Sequence, residues 1–191
     1  MSESSSLFPA QRSQQLFEYL FLIHLKEIEK DVVELKERLF NTMGSRYAGH
    51  HSTPHISLFN ISTTDQMDHM LELMNISWMP SFEVNVNGFD YYSHGQKSRT
   101  LYVNIEKKDS IVYLQKWLAN FFKLRRHSYD PHITLGRTIP VDLFEKAWDD
   151  IKSLRFQKSF TCDRLVVLKR KQQKEDPLKW GPYREIMLAS N

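Results

Sequence analysis

Apolar and aromatic residues crowd positions 16–25 (LFEYLFLIHL), a run whose length and aromatic content predict a buried strand. From Lys26 the pattern changes: Ile28, Val32, Leu35 and Leu39 recur at three- and four-residue steps among Glu and Lys, which predicts an amphipathic helix ending near Gly44. Pro54 then opens a short strand, HISLF, at a position where its missing N–H does little harm. Thr63 or Thr64 can cap a helix running to about Asn75. Strict alternation over 81–87 (SFEVNVN) and 99–106 (RTLYVNIE) predicts two half-buried strands, with the polar stretch 92–98 as a loop between them. A helix starts at Asp109 or Ser110, a second proline-led strand covers 130–135, and Asp142 with Glu145 resembles a capping box opening another helix. Two strands, roughly 158–169 and 183–189, close the chain.

Written as a string, the second part of this pattern repeats the first, with halves at about 16–92 and 99–190. The repetition extends to residue identity: Pro54-His-Ile-Ser-Leu58 recurs as Pro131-His-Ile-Thr-Leu135, each on the second strand of its half. Side chains alternate across a strand, so His55 and Ser57 share one face while Ile56 and Leu58 share the other. His132 and Thr134 stand in the same relation to Ile133 and Leu135. If a pseudo-twofold relates the halves, two imidazoles and two hydroxyls meet in one groove. Imidazoles titrate near neutrality, so one can take a proton while the other gives one. The hydroxyls of Ser57 and Thr134 can donate to phosphoryl oxygens as charge builds there, and this chemistry requires no metal and no cofactor.

Composition narrows the setting. The chain has 191 residues, 41% hydrophobic and 26% charged, enough apolar material for a core and too little bias for low complexity. Its single cysteine, Cys162, cannot bridge internally, which suits a reducing cytoplasm. The longest apolar run is about half a membrane span and carries Glu18 and His24, and residues 1–15 read as a flexible tail without a signal-peptide pattern. A net charge of +3 is too small for a protein that grips a duplex, but it allows a small phosphorylated substrate or an RNA end.

The paired His-x-Ser and His-x-Thr motifs resemble those of the 2H phosphoesterase superfamily, and within it the bacterial 2′-5′ RNA ligase / RNA 2′,3′-cyclic phosphodiesterase family. The resemblance extends from about Leu16 to Leu188 and includes Asp130-Pro-His-Ile-Thr-Leu-Gly-Arg137 and Phe160-Thr-Cys-Asp-Arg-Leu-Val-Val. It implies an α+β fold of two lobes over 16–191, related by a pseudo-twofold. Two mainly antiparallel sheets would face a central groove, with helices outside. It also implies metal-independent opening of a 2′,3′-cyclic phosphate to a 2′-phosphate, with reversible 2′-5′ ligation in some members. Carried over, His132 is the base that activates water, His55 the leaving-group acid, and Arg137 a phosphate ligand. Relatives usually place an aromatic five residues after the first histidine. Here that position is Asn60 and the aromatic is Phe59, which leaves the nucleotide's identity open.

Other readings bear on single residues. His50, His51 and His55 invite a metal site, but Pro54 forbids the helix that would align His51 with His55. By parity alone Arg137 faces away from His132, whereas a strand ending at Gly136 would free it to turn in. Tyr129 and Phe59 are candidates to stack on a base. The basic clusters Lys123-Arg125-Arg126 and Lys169-Arg170-Lys171 read more simply as solvated charge, with Glu175 and Asp176 near the second. Two rivals to a cyclic phosphodiesterase of RNA or nucleotide ends are an enzyme for a small cyclic-phosphate metabolite and a phosphate-binding module without turnover. A serine hydrolase is a distant third, because no nucleophile elbow surrounds any serine. A cytoplasmic monomer without membrane contact is expected.

Overall fold

Four helices form where the periodicities place them, with eight strands where seven are expected and the second motif strand starting at Ile133, in a computed structural model that describes residues 15–125, 128–172 and 179–190. All but Gln15 of the expected tail lies outside the described residues, as do Arg126, Glu175 and Asp176. In chain order the elements are β1 (Phe17–His24), α1 (Glu29–Met43), β2 (His55–Thr63), α2 (Gln66–Leu73), β3 (Phe82–His94), β4 (Ser98–Ile105), α3 (Asp109–Phe121), β5 (Ile133–Pro140), α4 (Val141–Ile151), β6 (Gln157–Cys162), β7 (Arg164–Lys171) and β8 (Gly181–Met187). The stripe Val32, Leu35, Leu39 and Met43 buries one side of α1, and Gly44 ends that helix with φ +66°, its N–H bonded to the Phe40 carbonyl at 2.9 Å. Two expected caps do not form. Helix α4 starts directly after Pro140 with no side-chain cap from Asp142, and α2 starts after Asp65 rather than on a threonine hydroxyl.

The eight strands lie in one antiparallel sheet ordered β6-β3-β4-β5-β2-β1-β7-β8. It consists of two four-stranded halves, with β5 and β2 as the inner strands. In place of two separate sheets, the halves are hydrogen-bonded at a narrow seam where Ile56 pairs with Ile133. The β1-α1-β2 and β4-α3-β5 units take matching places on either side of that seam.

The strand expected over 158–169 is two strands. It breaks at Asp163, after which β6 borders β3 at one end of the sheet and β7 lies between β1 and β8 at the other. The break is visible as a parity slip: Phe160 and Cys162 are buried before it, Leu165 and Val167 after it. The Asp163 carbonyl accepts the Leu188 N–H at 2.9 Å, and its carboxylate meets Arg164 at 2.8 Å. Residues 92–98 are also more ordered than a loop. Beyond Gly88 (φ +67°), where the register with β4 shifts, β3 continues to His94. This extension carries Tyr92 alongside Tyr102, with ring centroids 4.5 Å apart.

Candidate active site at the seam

Each motif builds its histidine in the same way. Pro54 and Pro131 are buried immediately before the two rings. His55 Nδ1 lies 2.7 Å from the Thr53 carbonyl, and His132 Nδ1 lies 2.8 Å from the Asp130 carbonyl. A carbonyl only accepts, so each Nδ1 carries its proton and each Nε2 is left for chemistry. The aliphatic partners turn inward as alternation requires: Ile56, Ile133 and Leu135 are fully buried and Leu58 nearly so.

The seam brings the two faces together. One residue on either side of the Ile56–Ile133 pair, antiparallel register sets His55 opposite Thr134 and Ser57 opposite His132. The two histidines thus lie diagonally across the seam, His132 immediately before β5. Tyr129 spans the seam, its hydroxyl donating to the Ser57 carbonyl at 3.0 Å. A groove of about 820 Å³ opens here, and its walls include His55, Ser57, Thr134, Arg137 and Phe59.

Arg137 reaches the groove against its parity. Register shifts in β5 break the alternation between Thr134 and Ile139, and Thr138 adopts φ +52°, a left-handed conformation rare for a β-branched residue. The Arg137 N–H is tied to the Ala48 carbonyl at 2.8 Å. Gly136 makes the turn possible, because a Cβ there would lie 2.8 Å from Tyr47 and Ile139 side-chain carbons. Phe59 behaves differently. A bulge in β2 puts Leu22 opposite Ser57 but Phe21 opposite Phe59, so the Phe59 ring stacks on Phe21 at 4.3 Å, and Asn60 takes the place opposite Leu20.

Lys36 was hidden by its charge. It lies on the apolar stripe of α1, is 1% exposed, and donates to the Gly49 carbonyl (2.9 Å), the Ser52 carbonyl (2.6 Å) and Ser52 Oγ (3.0 Å). It thereby fastens the segment that carries Ala48, which holds Arg137, and Thr53, which holds His55. Burial, with Arg137 nearby, pulls the Lys36 ammonium down to about 8. Burial likewise lowers the proton affinity of His55, with Lys36 and Arg137 adding to the effect against the bond from Thr53.

A buried lysine of lowered pKa binds fewer protons folded than unfolded, so its contribution to stability improves as pH rises from about 8 toward its ordinary 10.5. Above about 9 the buried Cys162 thiol, and above about 10 the partly buried Tyr47 and Tyr129 phenols, all pushed upward by burial, act in the opposite sense. The melting temperature is therefore expected to rise between pH 8 and 9, and Lys36→Met is expected to flatten that rise. An equal slope in both proteins would refute the lysine's part in it.

His132 stands among aromatics that sequence reasoning did not connect to it. Its ring meets Tyr92 edge-on at 5.2 Å and Tyr102 at 5.0 Å. The residue that holds its Nδ1, Asp130, is itself clamped by Tyr92 (2.5 Å) and Lys108 (2.6 Å). Burial would raise the Asp130 carboxyl, but those bonds, with the charges of Lys108 and His132, outweigh it and hold it below the usual range. On the first side His24 is the cross-strand partner of His55 and lines the groove, its Nε2 3.0 Å from Glu29. His50 is elsewhere, stacked on Phe40 at 4.7 Å. Among the described residues no three His, Cys, Asp or Glu side chains are placed to hold a metal ion, and no helix is long and apolar enough to cross a membrane. Of the basic clusters, Lys169 pairs with Asp68 and Arg170 with Glu18, each at 2.6 Å.

The profile of the 2′-5′ RNA ligase superfamily matches residues 26–174, a span that contains both motifs. An RNA 2′,3′-cyclic phosphodiesterase of Thermotoga maritima is 26% identical over 138 residues, covering 66% of this chain and 72% of that protein. The fold is shared with E. coli LigT (TM-score 0.67, 13% identity, 92% of this chain and 99% of that one). It is also shared with TT0787 of Thermus thermophilus (TM-score 0.64, 14% identity, 91% and 98%).

Proposed function

Because this chain belongs to the 2′-5′ RNA ligase superfamily, we propose that it is a metal-independent phosphoesterase that opens 2′,3′-cyclic phosphate ends of RNA or nucleotides to 2′-phosphates. The observation that carries this reading is the Ile56–Ile133 pairing, whose register sets each imidazole opposite the other motif's hydroxyl on one face of the sheet. The name of the Thermotoga maritima relative supports the substrate class.

In the reaction, His132 Nε2 takes a proton from water as its oxygen attacks phosphorus. The P–O3′ bond breaks, and His55 Nε2 delivers a proton to the departing O3′, leaving a 2′-phosphate and a free 3′-hydroxyl. Ser57, Thr134 and Arg137 donate to the non-bridging oxygens, where negative charge gathers. An incoming 5′-hydroxyl in place of water gives a 2′-5′ linkage by the same proton movements.

The lowered proton affinity of His55 fits this scheme once substrate is present. Burial is the main cause of the lowering, with Lys36 and Arg137 adding to it, and a cyclic phosphate anion beside the ring acts against it by favouring the charged form. The test is incubation with a nucleoside 2′,3′-cyclic phosphate in excess chelator, with the product identified by phosphorus NMR. Turnover to the 2′-phosphate alone is expected. A 3′-phosphate product, or activity abolished by the chelator, would overturn the mechanism.

A further inference from the structure

The groove continues beyond the reacting groups, and we infer that its far end is a subsite for the base of a second nucleotide, the one preceding the cyclic phosphate, built around Trp180. This rests on the function proposed above and deepens it, since it selects an oligonucleotide end over a mononucleotide.

Strand register measures the groove. Along β1 the groove face carries His24, Leu22, Leu20 and Glu18. Across from them stand His55, then Ser57 and Val166, then Asn60 and Leu168, and finally Ser62 and Arg170. From the His24 rung to the Glu18 rung is six residues, about 20 Å at roughly 3.3 Å per residue. That exceeds the reach of one nucleotide from its phosphate to its base edge. The middle rungs, Leu22 with Val166 and Leu20 with Leu168, form an apolar floor where the terminal base can lie. The last rung is different in kind. Arg170 donates to Glu18 at 2.6 Å, which holds the guanidinium 4.3 Å from the Trp180 ring centroid.

Nothing in the core explains this tryptophan. Trp180 is partly exposed, lines the groove and lies outside the hydrophobic core cluster formed by the described residues. A fixed aromatic–guanidinium plate on a groove wall, with Lys179 beside it, is what a single-stranded base and its phosphate select. A cyclic-phosphate metabolite of one nucleotide would fill the apolar floor and leave this plate unused.

The experiment is calorimetric titration of a mononucleotide and a dinucleotide, each ending in a 2′-phosphate, at one salt concentration. The proteins are wild type, Trp180→Phe and Trp180→Ala. The dinucleotide is expected to bind at least about tenfold more tightly to wild type, as one base stacked on an aromatic side chain provides. That ratio should be largely kept by Trp180→Phe and should fall at least about fivefold in Trp180→Ala. Equal affinity for the two ligands in wild type, or the same ratio in Trp180→Ala, would overturn the subsite. Failure of the proposed reaction reads differently: no turnover with the binding ratio intact removes the reaction and leaves the subsite standing.

Discussion

Replacing either His55 or His132 by alanine is expected to lower kcat/KM for a nucleoside 2′,3′-cyclic phosphate at least about a thousandfold, with melting temperature nearly unchanged. The magnitude follows from losing a positioned proton donor or acceptor together with part of the charge stabilisation around phosphorus. Stability should largely hold because each ring bonds to a carbonyl only two residues away and neither belongs to the hydrophobic core cluster, although His132→Ala also loses contacts with Tyr92 and Tyr102. The double variant should be little worse than either single one, since the two histidines act in one step. The pH profile separates their roles. In wild type kcat/KM should be bell-shaped, with apparent values belonging to the pair. The limb that falls as pH rises reports the group that must be protonated, and with His55 lowered it should lie below 6.5 for kcat/KM. It should move upward for kcat, where bound phosphate favours the charged ring. Residual activity in His55→Ala should lack that limb, and in His132→Ala the acidic one. Exchanged limbs would reverse the assignment of acid and base, while full activity in either variant would remove that histidine from the reaction.

How far the sequence revealed this site depends on whether each feature is written in local periodicity. The two motif strands were legible because alternation alone puts His55 with Ser57 and Ile56 with Leu58, and the burial of both isoleucines agrees. Duplication made the pair conspicuous. The seam was not legible, since a single backbone pair joining two half-sheets leaves no pattern in side-chain polarity. Lys36 went unremarked because of its charge, although its spacing from Val32, Leu39 and Met43 puts it on the buried stripe of α1. Phe59, a candidate to stack on a base, has its ring on Phe21, because the bulge in β2 sets it opposite that residue, which alternation alone does not show. Bulges insert one residue and reverse every face beyond them, and single-sequence periodicity registers them only where buried positions slip.

Arg137 is the residue for which such an irregularity matters most, and Arg137→Ala is expected to lower kcat/KM about a hundredfold. Its side chain lines the groove, where the proposed reaction makes it a donor toward phosphoryl oxygens, and removing one such donor costs about that much. Arg137→Lys should recover only part of the loss, since an ammonium cannot reproduce the planar fork. The aim of this side chain depends on backbone that the strand would not choose. Thr138 is held at φ +52°, at a cost of about 1–2 kcal/mol for a residue with a Cβ. The strain persists because the Ala48 carbonyl holds the Arg137 N–H and Tyr47 packs against Gly136, where no Cβ fits. Thr138→Gly should therefore raise stability by up to about 1 kcal/mol in thermal or urea unfolding, and activity should fall far less than in Arg137→Ala. A Thr138→Gly protein that loses stability would show that the threonine is not strained. Full activity in Arg137→Ala would mean that the bulge serves packing alone, and that the two hydroxyls and the imidazolium carry the phosphate by themselves.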